Sequence, residues 1–334
     1  MKVLADLHQD DLYYSLFLLF VKRLGWELYR PVGFDWHAAG YWKYSENLQT
    51  VEQYLRLPDD AILKDGYYEI YEKKHNYFHK AITFEQFKHL DIDIVVASVN
   101  QHEQPYFDLI QKHKPRAKLI RQVGNIHDNV DTNICKNLLA SIAPIDYPPD
   151  INVVFYHQEF EPTTFKFLPP KNYKTITNLM NCLPDSQDFS VWKQYKCLLP
   201  EYDWKMYGIL GDDGIIGTEA GVAEALHKTS FTWHLKAQAD GFGHVIHNAF
   251  ATGRPPIVKA SYYRGQLAGA LMIDTVTCID LEKRNIEDNI RLIRACSRPE
   301  VFKRMSENAH RIFTEAINYD EQFEEIKRFL ERLK

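Results

Sequence analysis

The sequence predicts an α/β protein built from two doubly wound halves. Three observations carry that prediction. The chain opens in β-α-β order. Three apolar segments further on, Asp93 to Ser98, Lys118 to Val123 and Asn152 to Tyr156, read as strands of a parallel sheet. After a proline-rich stretch, strand and helix patterns alternate a second time. At 334 residues the chain is long enough for two domains.

Val3 to Ala5 reads as a short buried strand, and Asp10 or Asp11 as the cap of a helix whose apolar positions are Leu12, Leu16, Leu19 and Phe20. Gly25 ends that helix, and Trp26 to Tyr29 is the next strand. The loop from Leu7 to Asp11 therefore lies at the carboxyl edge of a sheet, where open α/β folds bind ligands. Residues 33–90, dense in Trp36, Trp42, Tyr67, Tyr68, His75 and His79, read as loops and short helices covering that edge. The strands at 93–98, 118–123 and 152–156 end in Asn100, His102 and Glu103, in Gly124 to Asp128, and in His157 to Glu159. Three polar strand exits at one edge point to a site. Pro169, Pro170, Lys171 and Asn172 are the candidate linker. Beyond it, strands are expected at 174–180, 204–208, 230–235, 257–258 and 273–279, and helices at 217–226 and 286–295. Pro299 opens a helix with Phe302, Met305, Ile312 and Phe313 on one face. The last helix offers Phe323, Ile326, Leu330 and Leu333, with acids early and bases late.

Composition narrows the function. The net charge of −5 argues against stable nucleic-acid binding, although Lys73 to His75 and Lys112 to Arg116 are locally basic. Five scattered cysteines without metal spacing indicate a reducing, cytoplasmic setting. Leu12 to Val21, the longest apolar run, is too short to span a bilayer, which leaves peripheral membrane contact open. His75 and His79 stand four apart, but Asn76 occupies the place of a metalloprotease's glutamate, so a zinc hydrolase is disfavoured and no metal site is expected. A dehydrogenase fails too, because the first strand lacks G-x-G-x-x-G.

The most informative stretch runs from Asp240 to Pro255. Gly241 and Gly243 permit positive φ before a helix whose apolar face is Val245, Ile246, Ala249 and Phe250. His244 and Asn248 lie on the other face, His247 reads as a helix-surface residue, and Gly253 stops the helix before Pro255 and Pro256. A glycine-flanked helix start suits an anion such as phosphate.

This stretch resembles the donor-binding segment of GT-B glycosyltransferases, family 4 in particular. In that family an acid precedes Gly-Phe-Gly, a second acid follows, and a small-residue helix ends in Gly-x-Pro. Asp240 takes the first acidic position and Asn248 the second, and Ala249, Ala251, Gly253 and Pro255 fit the remainder. The resemblance implies two Rossmann-like domains facing a cleft, with C-terminal helices crossing back to the first domain. The expected boundaries are 1–170 for the acceptor-side domain, 171–317 for the nucleotide-sugar domain and 318–334 for the returning helix. It further implies metal-independent transfer of a sugar, with no cofactor, from a nucleotide-diphosphate sugar to a hydroxyl acceptor such as a glycan. Asp240 would lie near the donor sugar, Asn248 at the ribose, and Gly241, Phe242, Gly243 and His244 at the diphosphate or sugar end. His127 matches a first-domain histidine that approaches the donor sugar.

The chain departs from the family in two places. The arginine and lysine that usually neutralise the diphosphate are missing after Met180, which leaves Lys236 and Arg264 as candidate cations, with Lys193 further along. The first strand is followed by His8, Gln9 and Asp10 instead of a glycine-rich turn. If transfer retains the anomeric configuration, as the resemblance to family 4 implies, Asp240, His127 and Lys236 position the donor and stabilise the departing phosphate; if it inverts, it needs a base, for which His8, Asp10 and Asp11 are candidates. His102, His157 and Glu159 are further polar candidates at the same edge. The rival readings are a catalytically idle sugar- or nucleotide-binding protein, a regulatory subunit, and a transferase acting on nucleic acid. Donor base, sugar, acceptor and oligomeric state are not written in these residues.

Overall fold

The computed structural model describes residues 1–6, 9–32, 60–125, 128–161, 163–237 and 241–334. The chain forms two compact units, one of Met1–Phe160 with Tyr319–Lys334, the other of Glu161–Asn318. The change falls after Phe160 and not at residue 170. Packing explains the difference. Phe160 meets Tyr319 edge to face in the first unit, while Arg254 bonds the Leu168 carbonyl and His227 the Lys166 carbonyl in the second.

In the first unit, β1 (Lys2–Ala5) leads to α1 (Asp10–Phe17), which continues as a π-helical turn, Leu18–Arg23, before β2 (Glu27–Pro31). Then come β3 (Ile62–Lys64), β4 (Tyr67–Glu72), β5 (Tyr77–Ile82) and α2 (Phe84–His89). They are followed by β6 (Ile94–Ala97), α3 (Glu103–His113), β7 (Lys118–Val123), β8 (Asn137–Ala140) and β9 (Asn152–Phe155). The described strands form one sheet in the order β3-β4-β5-β2-β1-β6-β7-β8-β9. Only the β3–β4 and β4–β5 pairs are antiparallel. The expectation of loops over 33–90 is therefore corrected for residues 60–90, while Trp36 and Trp42 lie outside the described residues. Tyr67 to Ile82 folds as a hairpin closed at Glu72↔Tyr77, and Thr83 with Gln86 forms a capping box that starts α2. The strand β8 is a second addition, too short to stand out by periodicity.

Alternation along the parallel strands builds two cores. Val3, Ala5, Ile94, Val96, Ile120 and Leu139 face one side with α1, while Leu4, Val95, Ala97, Leu119 and Leu138 face the other with α2 and α3.

The second unit holds β10 (Thr175–Asn178), α4 (Phe189–Leu198), β11 (Asp203–Met206), α5 (Glu219–Lys228), β12 (Phe231–Trp233), α6 (His244–Ala251) and β13 (Pro256–Val258). It closes with β14 (Ile279–Asp280), α7 (Ile286–Cys296) and α8 (Pro299–Ala316). Its sheet is parallel throughout, ordered β11-β10-β12-β13-β14. The strand expected over 273–279 shrinks to β14 because a tight turn intervenes. The Ile273 carbonyl accepts from Val276 and Thr277, and Thr275 stands at φ 65°. Trp192, Trp204 and Trp233 meet edge to face inside this unit's core.

Both sheets are doubly wound, with order reversing between β1 and β6 in one and between β10 and β12 in the other. Helix α9 (Tyr319–Glu331) belongs to the first unit and seats Ile326 and Phe329 in the core that α1 also faces. Each buried side chain of this kind contributes about 1.5–3 kcal/mol.

Candidate functional site

In the second unit the residues singled out by sequence collect after β12, β13 and α6's entry loop. Gly241 and Gly243 take positive φ, 50° and 74°, and Gly243 is the left-handed N-cap of α6. Among the described residues no side chain caps this helix start. His247 holds the turn from inside. It is fully buried, its ring lies 3.9 Å from the Phe242 ring in a parallel stack, and its Nδ1 donates to the Gly243 carbonyl at 3.0 Å. The expectation of a surface His247 is thus corrected. The helix is apolar nearly all round, so its histidine is taken into the core by stacking.

Asn248 is also buried, with 7% exposure, and its Oδ1 receives no hydrogen bond among the described residues. An orphaned buried carbonyl costs about 1–3 kcal/mol, which a ligand's hydroxyl would relieve. Asn178, ending β10 beside the point where the strand order reverses, is fully buried and presents a second such oxygen. Sequence reasoning missed Asn178. Its signal was an amide side chain closing the buried strand Thr175–Asn178.

Among the cations, Lys236 and Arg264 are exposed, Lys236 after β12 and Arg264 beyond β13. Lys193 is exposed on α4 over the Phe189 ring. A lysine that sequence reasoning did not name, Lys259, follows β13. Its Nζ donates to Asp188 at 2.6 Å and to the Tyr262 hydroxyl at 3.1 Å. Burial works against the ammonium there, but Asp188 and Tyr262 outweigh it and hold Lys259 above its ordinary value.

In the first unit, Asp6 follows β1 directly and is 1% exposed. It accepts from the Ser98 N–H at 3.0 and 3.2 Å, and from the Ser98 hydroxyl and His102 Nδ1. Arg121, buried in β7, donates to Glu103 at 2.8 Å, to the Ser98 carbonyl at 2.7 Å and to Asp128 at 3.3 Å. Asp128 in turn gathers the Gly124 and Asn125 N–H groups, closing the loop at β7's exit. Asp10 is the first residue of α1, whose N-cap is Gln9, so neither Asp10 nor Asp11 caps it. Packing around the Asp10 carboxyl, with repulsion from Glu72 and Asp11 and against attraction by Lys74, raises it above the usual carboxylate range, although the side chain still reaches solvent. Asp11 pairs with Lys74 and His75. Glu159 is taken by a bidentate bond from Arg23, and His157 by Gln322 of α9. Both therefore serve packing within this unit. His8, His127 and Asp240 lie outside the described residues. Among the described residues no group of three His, Cys, Asp or Glu is arranged to hold a metal ion, and no helix is long and apolar enough to cross a membrane.

No protein-family model matches the chain, and no curated protein matches it in sequence. Solved structures do. HepE from Anabaena, in complex with UDP-glucose, matches over 100% of both chains with a TM-score of 0.65 and 12% identity. A glycosyltransferase from Rickettsia africae matches over 99% of this chain and 98% of its own, with a TM-score of 0.63 and 13% identity. The pneumococcal O-GlcNAc transferase GtfA, in complex with UDP and GlcNAc, matches 79% of this chain and 64% of its own, at a TM-score of 0.51 and 15% identity. These likenesses establish the fold. The chain has the GT-B architecture of two Rossmann-like units, and its last helix returns to the first unit.

Proposed function

We propose that this protein is a glycosyltransferase that moves a sugar from a nucleotide-diphosphate donor to a hydroxyl acceptor, in the manner of glycosyltransferase family 4. One observation carries the reading. The segment that resembles the family's donor-binding motif folds as a left-handed glycine turn into a helix, with the buried Asn248, whose Oδ1 receives no hydrogen bond among the described residues, one turn in, after a central strand of a GT-B unit. The full-length likeness to HepE with UDP-glucose supports it.

In this reading the second unit holds the nucleotide. The helix start at Gly243 and His244 faces the diphosphate, where first-turn N–H groups and the dipole favour negative charge. Asn248 accepts from a ribose hydroxyl, a role that needs an acceptor and no charge. Lys236 and Arg264 are the cations for the leaving diphosphate. Asp240 stands near the donor sugar and His127 approaches it, as the resemblance implies. The first unit takes the acceptor, a glycan or another hydroxyl. Transfer proceeds without a metal or cofactor, and the free cysteines suit a cytoplasmic setting.

A melting-temperature panel with UDP-, GDP-, ADP- and TDP-sugars tests the reading, since a ligand that binds only the folded protein raises its transition. A rise with one nucleotide class is expected, and no rise with any at millimolar concentration overturns it. Asp240→Ala is expected to remove transfer and keep the fold, whereas turnover at the wild-type rate removes Asp240 from the site. A second reading, an idle nucleotide-sugar binder or regulatory subunit, draws on Asn248 in place of an acid and on the absence of arginine after β10. It predicts the same thermal response with no hydrolysis of the donor.

A further inference from the structure

The chain passes between the two units twice, from Phe160 to Glu161 and back from Asn318 to Tyr319. Proteins of two units generally move at their connecting segments, where a few loop or element-terminal residues absorb the change. One side chain of the first unit grips both passages. Arg23 ends the π-helical turn that follows α1. Its Nε and Nη2 donate to the two Glu159 carboxylate oxygens at 2.7 Å each, next to the outgoing passage. Its Nη1 donates to Asp320 at 2.8 Å, just after the return. The guanidinium also lies 5.3 Å from the centre of the Phe323 ring, one turn further along α9. Phe160 and Tyr319, one from each passage, meet edge to face. We propose that Arg23 is a clamp on both passages, with a firm arm on Glu159 and a releasable arm on Asp320, and that it sets how freely the chain moves where it leaves and re-enters the first unit.

Local backbone aims the side chain. The Leu24 N–H donates to the Leu19 carbonyl, five residues back, at 3.2 Å. The extra residue in this turn rotates Arg23 away from its α-helical direction, and such turns are rare and recur at functional sites. The two arms differ in kind. The Arg23 and Glu159 side chains are 24% and 18% exposed and bond through a two-point fork, the strong form of the pair. The Asp320 side chain is 89% exposed, and an ion pair in that setting is weak and screened by salt. Packing does little to fix the return. Helix α9 buries no residue fully before Ile326. A cavity of about 20 Å³, room for a single water, lies beside Arg23 and is bounded by Leu19, Tyr156, Phe323 and Ile326. The start of α9 is therefore held by the Arg23 ion pair more than by close packing.

The clamp is independent of the reaction the protein catalyses, so its test needs no substrate. The full chain is exposed briefly to chymotrypsin, which cuts after aromatic residues, and the earliest products are assigned by mass. Cuts after Phe160 report the outgoing passage and cuts after Phe323 the return. Cuts after Tyr106, fully buried in α3, report opening of the unit as a whole. Rates are taken relative to an unstructured peptide in the same buffer. Arg23→Gln keeps a stem against Phe323 and removes the charged fork. It should speed cutting about fivefold at both passages and leave Tyr106 within about twofold of wild type. Asp320→Asn should speed cutting after Phe323 alone. Raising sodium chloride from about 0.05 M to about 1 M should do the same to the wild type and add nothing in Asp320→Asn. Unchanged passages in Arg23→Gln, or Tyr106 released as much as they are, overturn the clamp. An outgoing passage loosened by salt or by Asp320→Asn as much as the return overturns the division into two arms, and so does a return that responds to neither.

Discussion

At the scale of single residues, Asn248 and His247 show how a helix can be apolar outside and polar in its purpose. His247 spends its Nδ1 proton on Gly243 and its ring face on Phe242, so it stabilises the turn and is not exposed as a ligand. Asn248 keeps a buried side-chain oxygen that receives no hydrogen bond among the described residues. Replacing an orphaned polar group by an apolar one of similar size is nearly neutral or stabilising, whereas losing its ligand contact costs about 1–1.5 kcal/mol, roughly tenfold in affinity. Asn248→Leu is therefore expected to bind the donor nucleotide about tenfold more weakly, by calorimetry, with a denaturation midpoint no lower than wild type. A lowered midpoint with unchanged affinity would make Asn248 a packing residue. Sequence alone placed Asn248 at the right position of a motif. Its burial follows from α6 sinking between neighbours, which periodicity does not encode.

At the scale of elements, two devices hold helices in place. The first is the glycine exit of α6. Gly253 has φ 69°, and a Cβ there would sit 2.6 Å from the Phe167 ring and 2.9 Å from the Ser306 carbonyl. Left-handed backbone costs a non-glycine residue about 1–2 kcal/mol and overpacking about 1–3 kcal/mol more. Gly253→Ala is expected to lose about 2 kcal/mol or more in chemical denaturation. The second device docks α9. The His157 N–H donates to Gln322 Oε1 at 2.8 Å and Gln322 Nε2 donates back to His157 Nδ1 at 2.9 Å. Asn152 adds bonds to the Phe329 and Arg332 carbonyls. Burial pushes the His157 imidazole down to about 4, below its ordinary value near 6.5. The unfolded chain then binds the extra proton first, so this contribution is complete above about pH 6.5 and is lost as pH falls toward 4, about 3 kcal/mol at most. Protection of the α9 amides, taken relative to intrinsic exchange at each pH, is expected to fall over that window, and His157→Gln to flatten the response. Protection factors in α9 that do not change between about pH 6.5 and about pH 4 in the wild type would remove His157 from the docking of α9.

At the scale of the molecule, each unit has its own core and its own reversal of strand order. A ligand held by one of them should protect that one. At a hundredfold excess over its dissociation constant, a donor nucleotide stabilises the folded state by about 2.7 kcal/mol. The expected outcome is slower hydrogen exchange in β10, β12 and α6, with β7 and β8 little changed. Protection confined to the first unit would reverse the assignment of the donor.

Much of this was legible in the chain. Apolar runs bounded by turn residues marked most of the parallel strands, and one motif marked the donor segment, because buried strands and glycine turns demand particular residues locally. The hairpin of Tyr67 to Ile82 was not legible, since its aromatic and charged residues mimic a surface cover until partners pair across it. Nor were the fates of Glu159 and His157, each claimed by a residue more than a hundred positions away. The amino-acid sequence by itself determined two α/β halves, the glycine-started helix and the missing acid at 248. Only the tertiary structure brought Asp6 to His102 and left the Asn248 Oδ1 without a hydrogen bond among the described residues, because burial and pairing are set by neighbours that the chain delivers from far along its length.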